Sequence, residues 1–209
     1  MLVRLRGCEK MNYPPKFMGH YNYWKKLAKE KGKIELLIIT ESPPRTTSTY
    51  FYNHTAPYEC GVRINDIYSN GCFSYYIFES LNIQQNPNNK EISLNAFVEK
   101  FFLMDAINVI TWITAQEKKR VIRDKLTNPI HLQEIKDEII SLNPKNIVIC
   151  GRAIYRYLYP HLSQFCITEN INLVEENPPL PFPGRSFEHH NLHTEFMNKM
   201  RLIIENLQI

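Results

Sequence analysis

Three short segments of the chain are almost continuously apolar. They cover residues 34–40 (IELLIIT), 102–110 (FLMDAINVI) and 146–150 (NIVIC). Runs of this length with little polar alternation are typical of strands buried on both faces of a parallel sheet. The first run is followed by Glu41-Ser42-Pro43-Pro44, where two prolines prevent further strand pairing. We therefore predict three core strands.

Between and after these runs, apolar residues recur at helical spacing. Leu132, Ile135, Ile139 and Leu142 lie three, four and three positions apart, so they share one face of a helix over residues 131–142. Asn143-Pro144 ends that helix. Further helices are predicted over residues 21–31, 73–81, 94–100 with Ser93 as N-cap, from Gly151 to near Pro160, and over 188–207.

Strands that alternate with helices predict the α/β class, as a three-layer α/β/α sandwich with a mostly parallel central sheet. We expect residues 1–33 to form an N-terminal arm and helix that pack on the domain, and residues 34–209 to form the domain itself. Ligands of such sheets bind beyond the carboxyl ends of the strands. The segments after Thr40, after the second strand and over 178–186 are therefore the places to look for a site.

Composition narrows the class of protein. The chain has 209 residues, of which 44% are hydrophobic, and a formal charge of +4. That content supports a packed core and excludes wholesale disorder. No apolar run reaches the length of a membrane span, and no signal peptide is recognisable, so we expect a cytoplasmic protein without a membrane partner. The chain has only 7 glycines, and no segment of it matches a Gly-rich phosphate-binding loop.

Two candidate features follow the first strand. Glu41 comes directly after a buried strand, so its carboxylate is held by rigid backbone and could activate a water as a general base. Capping a helix or pairing with a surface lysine is the alternative for Glu41. Tyr50, Phe51 and Tyr52 could stack on a base, or they could instead fasten a long loop to the domain.

Polar residues also interrupt the second apolar run. Asp105 and Asn108 are costly inside a strand unless they are hydrogen-bonded, so each either satisfies a structural contact or faces a pocket. Because Asn108 is three residues along, a regular strand would turn it to the side opposite Asp105. The residues themselves do not decide between these alternatives.

Three further groups could bind anions or metals. Pro183-Gly184-Arg185-Ser186 precedes a predicted helix and could hold a phosphate, or it could be a helix cap with a solvated arginine. His189 and His193 have metal-ligand spacing, but no third ligand is indicated. Lys118, Lys119, Arg120, Arg123 and Lys125 could touch a phosphate backbone or form a solvated helix face. The five cysteines fit neither a disulfide framework nor a zinc knuckle, and Cys150 before Gly151 suits a buried thiol better than a nucleophile.

Taken in order, these segments resemble the uracil-DNA glycosylase superfamily. The segment IELLIITESPP is similar to the family's first motif, in which an acid or amide followed by proline positions water. The segment NPKNIVICGRAIYRYL is similar to its strand, glycine and helix, and PLPFPGRS to the last motif, which enters the minor groove and grips phosphates. The resemblance covers most of the chain from Ile34 onward.

The resemblance implies a role for each candidate. Glu41 would be the catalytic, water-positioning acid. The residues that contact the base would be Tyr50, Phe51, Tyr52, Asp105 and Asn108. Phosphate and DNA contacts would come from Pro43, Pro44, Pro183, Gly184, Arg185 and Ser186. Neither a metal nor another cofactor is implied, and we expect a monomer whose partner is damaged or uracil-containing DNA.

Two departures from the family pattern bear on activity. Active members commonly hold a histidine before a proline and serine in the last motif, and Leu180-Pro181-Phe182-Pro183 lacks it. The family's second strand usually offers an asparagine to the base edge, whereas an ionised Asp105 can only accept hydrogen bonds.

The expected function is hydrolysis of the N-glycosidic bond of a flipped, deaminated base. The alternatives are a catalytically silent member that binds nucleic acid or a nucleotide-like ligand, and a metal-dependent hydrolase built on His189 and His193.

Overall fold

The fold is seen in a computed structural model, which describes residues 15–43, 50–54, 73–86, 89–108, 115–181 and 190–209. Within these residues the protein is mixed α/β, with a four-stranded sheet and seven helices. All strand pairs of the sheet are parallel. The predicted α/β class and parallel sheet are therefore confirmed.

The sheet has the strand order β2-β1-β3-β4. Its strands are β1 (Leu36–Thr40), β2 (Phe101–Asp105), β3 (Asn146–Ile149) and β4 (Asn172–Leu173). Every residue of β1 and β2 is buried, which is why their sequences lack polar alternation. The register pairs Leu36 with Phe101 and Thr40 with Asp105, so β1 and β2 end side by side.

Seven helices of the described residues lie around this sheet. They are α1 (Pro15–Lys31), α2 (Phe73–Ser80), α3 (Lys90–Phe97), α4 (Ala115–Leu126), α5 (Pro129–Leu142), α6 (Arg152–Thr168) and α7 (His190–Leu207). Helix α2 packs against α7, whereas α4, α5 and α6 pack against one another and α6 contacts β3. Helices packed around a parallel sheet are consistent with an α/β/α sandwich.

The N-terminal helix α1 belongs to the same core. Trp24 is fully buried, and its indole Nε1 donates a hydrogen bond of 2.9 Å to the Tyr52 carbonyl oxygen. The Tyr21 hydroxyl donates to Glu138 of α5 at 2.7 Å, and Lys25 pairs with the same carboxylate. The buried Glu138 carboxylate is thus satisfied by two side chains of α1.

The outer edge of β2 is covered by residues 50–54. The Tyr52 hydroxyl donates to the Leu103 carbonyl oxygen at 3.0 Å and accepts from the Leu103 amide at 2.7 Å. Since β2 is an edge strand of the sheet as far as the chain is described, these two backbone groups have no described strand partner on that side. One tyrosine hydroxyl therefore satisfies both of them.

Several predicted boundaries are wrong. Helix α1 begins at Pro15 rather than near residue 21. Strand β2 ends at Asp105 rather than continuing to residue 110. Helix α3 begins at Lys90, because Asn89 rather than Ser93 is the N-cap and its side chain accepts from the Glu91 amide. Helix α6 continues through Pro160 to Thr168.

The apolar pattern explains why α6 passes a proline. Ile154, Leu158, Leu162 and Cys166 are all buried and lie four residues apart, on one side of the helix. A helix-interior proline costs roughly 3 kcal/mol through a lost hydrogen bond and a steric clash. Burying two further side chains beyond Pro160, at about 1.5–3 kcal/mol for a large one, offsets that cost.

Candidate functional site

Three neighbouring strands end at one edge of the sheet. At or just after the end of each strand lies a side chain that could take part in a reaction. These side chains are Glu41 after β1, Asp105 at the end of β2 and Cys150 after β3. The backbone continues to pair beyond the strands, since the Ala106 amide donates to the Thr40 carbonyl at 2.7 Å and the Ile107 amide to the Glu41 carbonyl at 2.9 Å. These bonds fix the segments after β1 and β2 side by side.

Glu41 is mostly covered and carries an ion pair. Its side chain is 15% exposed, and its Oε1 lies 2.7 Å from the Nζ of Lys118 on α4, whose side chain is 44% exposed. Pairing with a lysine is one of the alternatives that the sequence left open for Glu41. A carboxylate in this position can orient a water only through the acceptor directions that the ammonium leaves unused.

Asp105 is buried beside it. Only 4% of the residue is exposed, and its Oδ1 accepts a hydrogen bond of 2.9 Å from the Thr40 hydroxyl. The pKa of Asp105 is raised from 3.8 to about 7, mainly because burial disfavours the charged form; the Thr40 hydrogen bond lowers it and the charge of Glu41 raises it. Two carboxyl groups therefore share this edge of the sheet, and burial favours the protonated form of Asp105.

Asn108 lies three residues beyond Asp105. It is 8% exposed, and its side-chain Oδ1 has no hydrogen-bond partner among the residues that the structure describes. The prediction that Asn108 faces away from Asp105 assumed a continuous strand. Because β2 ends at Asp105, strand alternation does not apply to Asn108.

His131 contacts the segment that follows β2, and the sequence analysis did not single it out. Its Nε2 lies 2.8 Å from the Ala106 carbonyl oxygen, which can only accept, so this nitrogen is the donor. Its Nδ1 lies 3.0 Å from Oε2 of Glu134. Its position in the sequence could have indicated this burial, because His131 lies four residues before Ile135 on the apolar face of α5.

The three aromatic residues are part of the core. Tyr50, Phe51 and Tyr52 are 1%, 4% and 0% exposed. Phe51 packs on Phe97 with ring centroids 4.9 Å apart, and Tyr52 stacks on Phe102 at 5.1 Å. In this arrangement the rings fasten residues 50–54 to the domain, which was the alternative to base stacking.

Cys150 is an inert thiol in this structure. It is fully buried and donates from Sγ to the Pro181 carbonyl oxygen at 3.4 Å. Burial, and then the charge of Glu41, raises the pKa of the Cys150 thiol above its usual range. A thiol that resists ionisation is a poor nucleophile. The next residue, Gly151, has a φ of 118°, which favours glycine at the start of α6.

The predicted phosphate-binding residues fall largely outside the described chain. Pro43 is described and buried. Pro44, Pro183, Gly184, Arg185 and Ser186 lie outside the described residues, so the phosphate grip stays a prediction.

The predicted histidine pair is only half described, because His189 lies outside the described residues. His193 is buried and stacks on Tyr76 at 4.2 Å. Within the described ranges, no group of three or more His, Cys, Asp or Glu residues could hold a metal ion.

Comparison of the sequence with family models and with curated proteins identifies no relative. No family model matches the sequence, and no curated protein matches it. In the part of the chain that is described, none of the helices has the length and apolar character needed to cross a membrane.

Proposed function

We propose that this protein is a uracil-DNA-glycosylase-like protein that binds a flipped, deaminated base in DNA and hydrolyses its N-glycosidic bond. The observation that carries the proposal is the placement of Glu41 and Asp105 at adjacent strand ends, where Thr40 links them. The all-parallel sheet and the helices packed around it support the corresponding three-layer fold. Extruding a base costs a few kcal/mol, least for a mismatched or damaged one.

Glu41 acts on the water. Its carboxylate orients a water molecule toward C1′ of the sugar, which becomes oxocarbenium-like as the bond to the base breaks. The water oxygen forms the new bond to C1′, the base departs with the bonding electron pair, and a proton passes from the water to Glu41. The rigid position of Glu41 directly after β1 supports this role, because general-base catalysis depends on geometry first.

Asp105 reads the base edge. An ionised carboxylate accepts hydrogen bonds only, and it would repel the O4 oxygen of uracil. With a pKa of about 7, Asp105 is protonated in a substantial fraction of molecules near neutral pH. A protonated carboxyl group donates one hydrogen bond and accepts another, as the amide of an asparagine does. This property supports recognition of a base that offers one donor and one acceptor, as uracil does at N3 and O4.

A second candidate function is a catalytically silent member of the fold that binds nucleic acid or a nucleotide-like ligand. The burial of Tyr50, Phe51 and Tyr52 favours it, because none of the three rings is open for stacking on a base. The missing histidine of the last motif favours it as well.

A measurement of base release distinguishes the glycosylase from the catalytically silent member. The protein is incubated with oligonucleotides that carry uracil, hypoxanthine or xanthine opposite each normal base, and free base is measured by mass spectrometry. Release of one of these bases supports the glycosylase. DNA binding that weakens with salt, without release of any base, selects the silent member.

A further inference from the structure

Helix α4 carries an excess of positive charge beside the candidate site. Its sequence AQEKKRVIRDKL holds five basic and two acidic residues. Ile122 and Leu126 are buried, whereas Lys119, Arg120 and Arg123 are exposed. Arg123 lies four residues after Lys119 and three after Arg120, and all three side chains are exposed, so these cations share the solvent face of α4. We call them the α4 basic face.

Two of these cations have no acidic partner among the residues that the structure describes. Arg123 is paired with Asp124 at 3.0 Å. For Lys119 and Arg120, no ion pair occurs within the described part of the chain. Exposed cations that are not neutralised by neighbouring carboxylates are what a phosphate backbone contacts.

Lys118 connects this face to the site. It precedes Lys119 on α4, and its Nζ lies 2.7 Å from Oε1 of Glu41. The lysine side chain is 44% exposed and the glutamate only 15%, so Lys118 can turn into solvent while Glu41 stays in place. Partly exposed ion pairs are weak and are exchanged readily for another anion.

We propose that the α4 basic face binds the phosphodiester backbone of a nucleic acid and that the bound backbone draws Lys118 away from Glu41. The proposal rests on the proposed function, because it concerns when Glu41 becomes available to orient water. Without nucleic acid, the ammonium occupies Oε1 of Glu41. With nucleic acid bound, Lys118 pairs with a phosphate, and the carboxylate accepts a hydrogen bond from water instead.

The binding surface is tested with a fluorescein-labelled DNA duplex of about 20 base pairs. The variant Lys119→Ser/Arg120→Ser/Arg123→Ser is compared with a charge-matched control in and just after α1, Lys26→Ser/Lys29→Ser/Lys33→Ser. We expect the α4 variant to bind about tenfold or more weakly at low salt, with a salt slope shallower by about 2–3, since each phosphate contact contributes roughly 0.9. The control should change affinity less than about threefold.

Two results would overturn the binding surface. One is an α4 variant that binds the duplex as the control does. The other is poly-glutamate that competes with the duplex as well as an unlabelled duplex does, because the face would then recognise negative charge in general. Competition by unlabelled DNA alone supports a phosphodiester partner.

The release of Lys118 is tested by NMR on protein with ¹³C-labelled glutamate carboxyl groups. The Glu41 signal is assigned from its loss in Glu41→Gln. We expect it to move when the duplex is added to wild type, and to start near that shifted position in Lys118→Met. A Glu41 signal that stays in place when DNA binds, or that moves equally in Lys118→Met, contradicts the release.

These readouts separate this inference from the proposed function. DNA binding with a moved Glu41 signal but no base release rejects the glycosylase and keeps the inference. Base release with an unmoved Glu41 signal rejects the inference and keeps the glycosylase.

Discussion

Thr40 and Asp105 face each other as register partners on adjacent parallel strands, and the Thr40 hydroxyl donates a 2.9 Å hydrogen bond to Asp105 Oδ1. This bond fixes the carboxyl group of Asp105 at the end of β2. Glu41 is the next residue after Thr40, so the same hydroxyl-bearing strand end positions both carboxylates. Local strand register thus assembles the central pair of the site.

The raised pKa of Asp105 predicts that stability falls as pH rises. Between the ordinary pKa of 3.8 and the folded value of about 7, the native state keeps a proton that the unfolded chain has released. The free energy of unfolding therefore decreases over this range, by on the order of 4 kcal/mol at most. Asp105→Asn lacks this titration. In urea denaturation at pH 4.5 and pH 8, the variant should gain stability relative to wild type at the higher pH. A stability difference that does not vary with pH would contradict the assignment.

The raised pKa of the Asp105 carboxyl group also predicts how activity depends on pH. Asp105 must be protonated to donate a hydrogen bond to a base oxygen, so uracil release in single turnover should fall as pH rises through about 7. In Asp105→Asn the amide donates at every pH, so this decline should disappear. If wild type and Asp105→Asn show the same decline, Asp105 does not read the base.

Tyr52→Phe tests the covering of the β2 edge. The variant keeps the ring and removes the hydroxyl that satisfies both backbone groups of Leu103. Leaving buried backbone groups unsatisfied costs about 1–3 kcal/mol, so we expect a loss of that size in the free energy of unfolding. The matched control is Tyr23→Phe, because Tyr23 is 49% exposed. It should change the unfolding free energy by less than about 0.5 kcal/mol. Equal effects of the two variants would refute the role of the Tyr52 hydroxyl.

His131→Ala tests the support beneath the segment after β2. The substitution removes the donor to the Ala106 carbonyl, so we expect a loss of about 1–3 kcal/mol in stability. It should also shift the backbone amide signals of Ala106 and Ile107. Glu134→Gln is the control, since it keeps the Nε2 contact. The role of His131 is wrong if its variant leaves those amide signals where they are in wild type.

Much of the fold could be predicted from local pattern. The buried runs of β1 and β3 and the apolar face of α5 follow directly from residue type and spacing. The course of α6 through Pro160 could not, because tertiary burial outweighs the local cost of proline. Strand β4 has two residues, too few for a periodic signal.

The site was predicted less completely than the fold. Glu41 and Asp105 stood out because a carboxylate that follows or interrupts an apolar run is visible in sequence. The contacts that Lys118 and His131 make could not be predicted, since Lys118 is 77 positions from Glu41 and His131 is 25 positions from Ala106. Such contacts depend on how helices dock on the sheet. The aromatic side chains of residues 50–52 carry no signal that separates a stacking surface from a core anchor.

The most direct test of the account is single-turnover base release by wild type and Glu41→Gln, on the duplex that gives the highest release in the oligonucleotide panel. Glu30→Gln, a change to a carboxylate that is 58% exposed, is the matched control. Loss of a positioned general base should slow release by about 10²–10⁴-fold in Glu41→Gln, while Glu30→Gln keeps the wild-type rate. No release by wild type, or equal release by wild type and Glu41→Gln, would contradict the central claim.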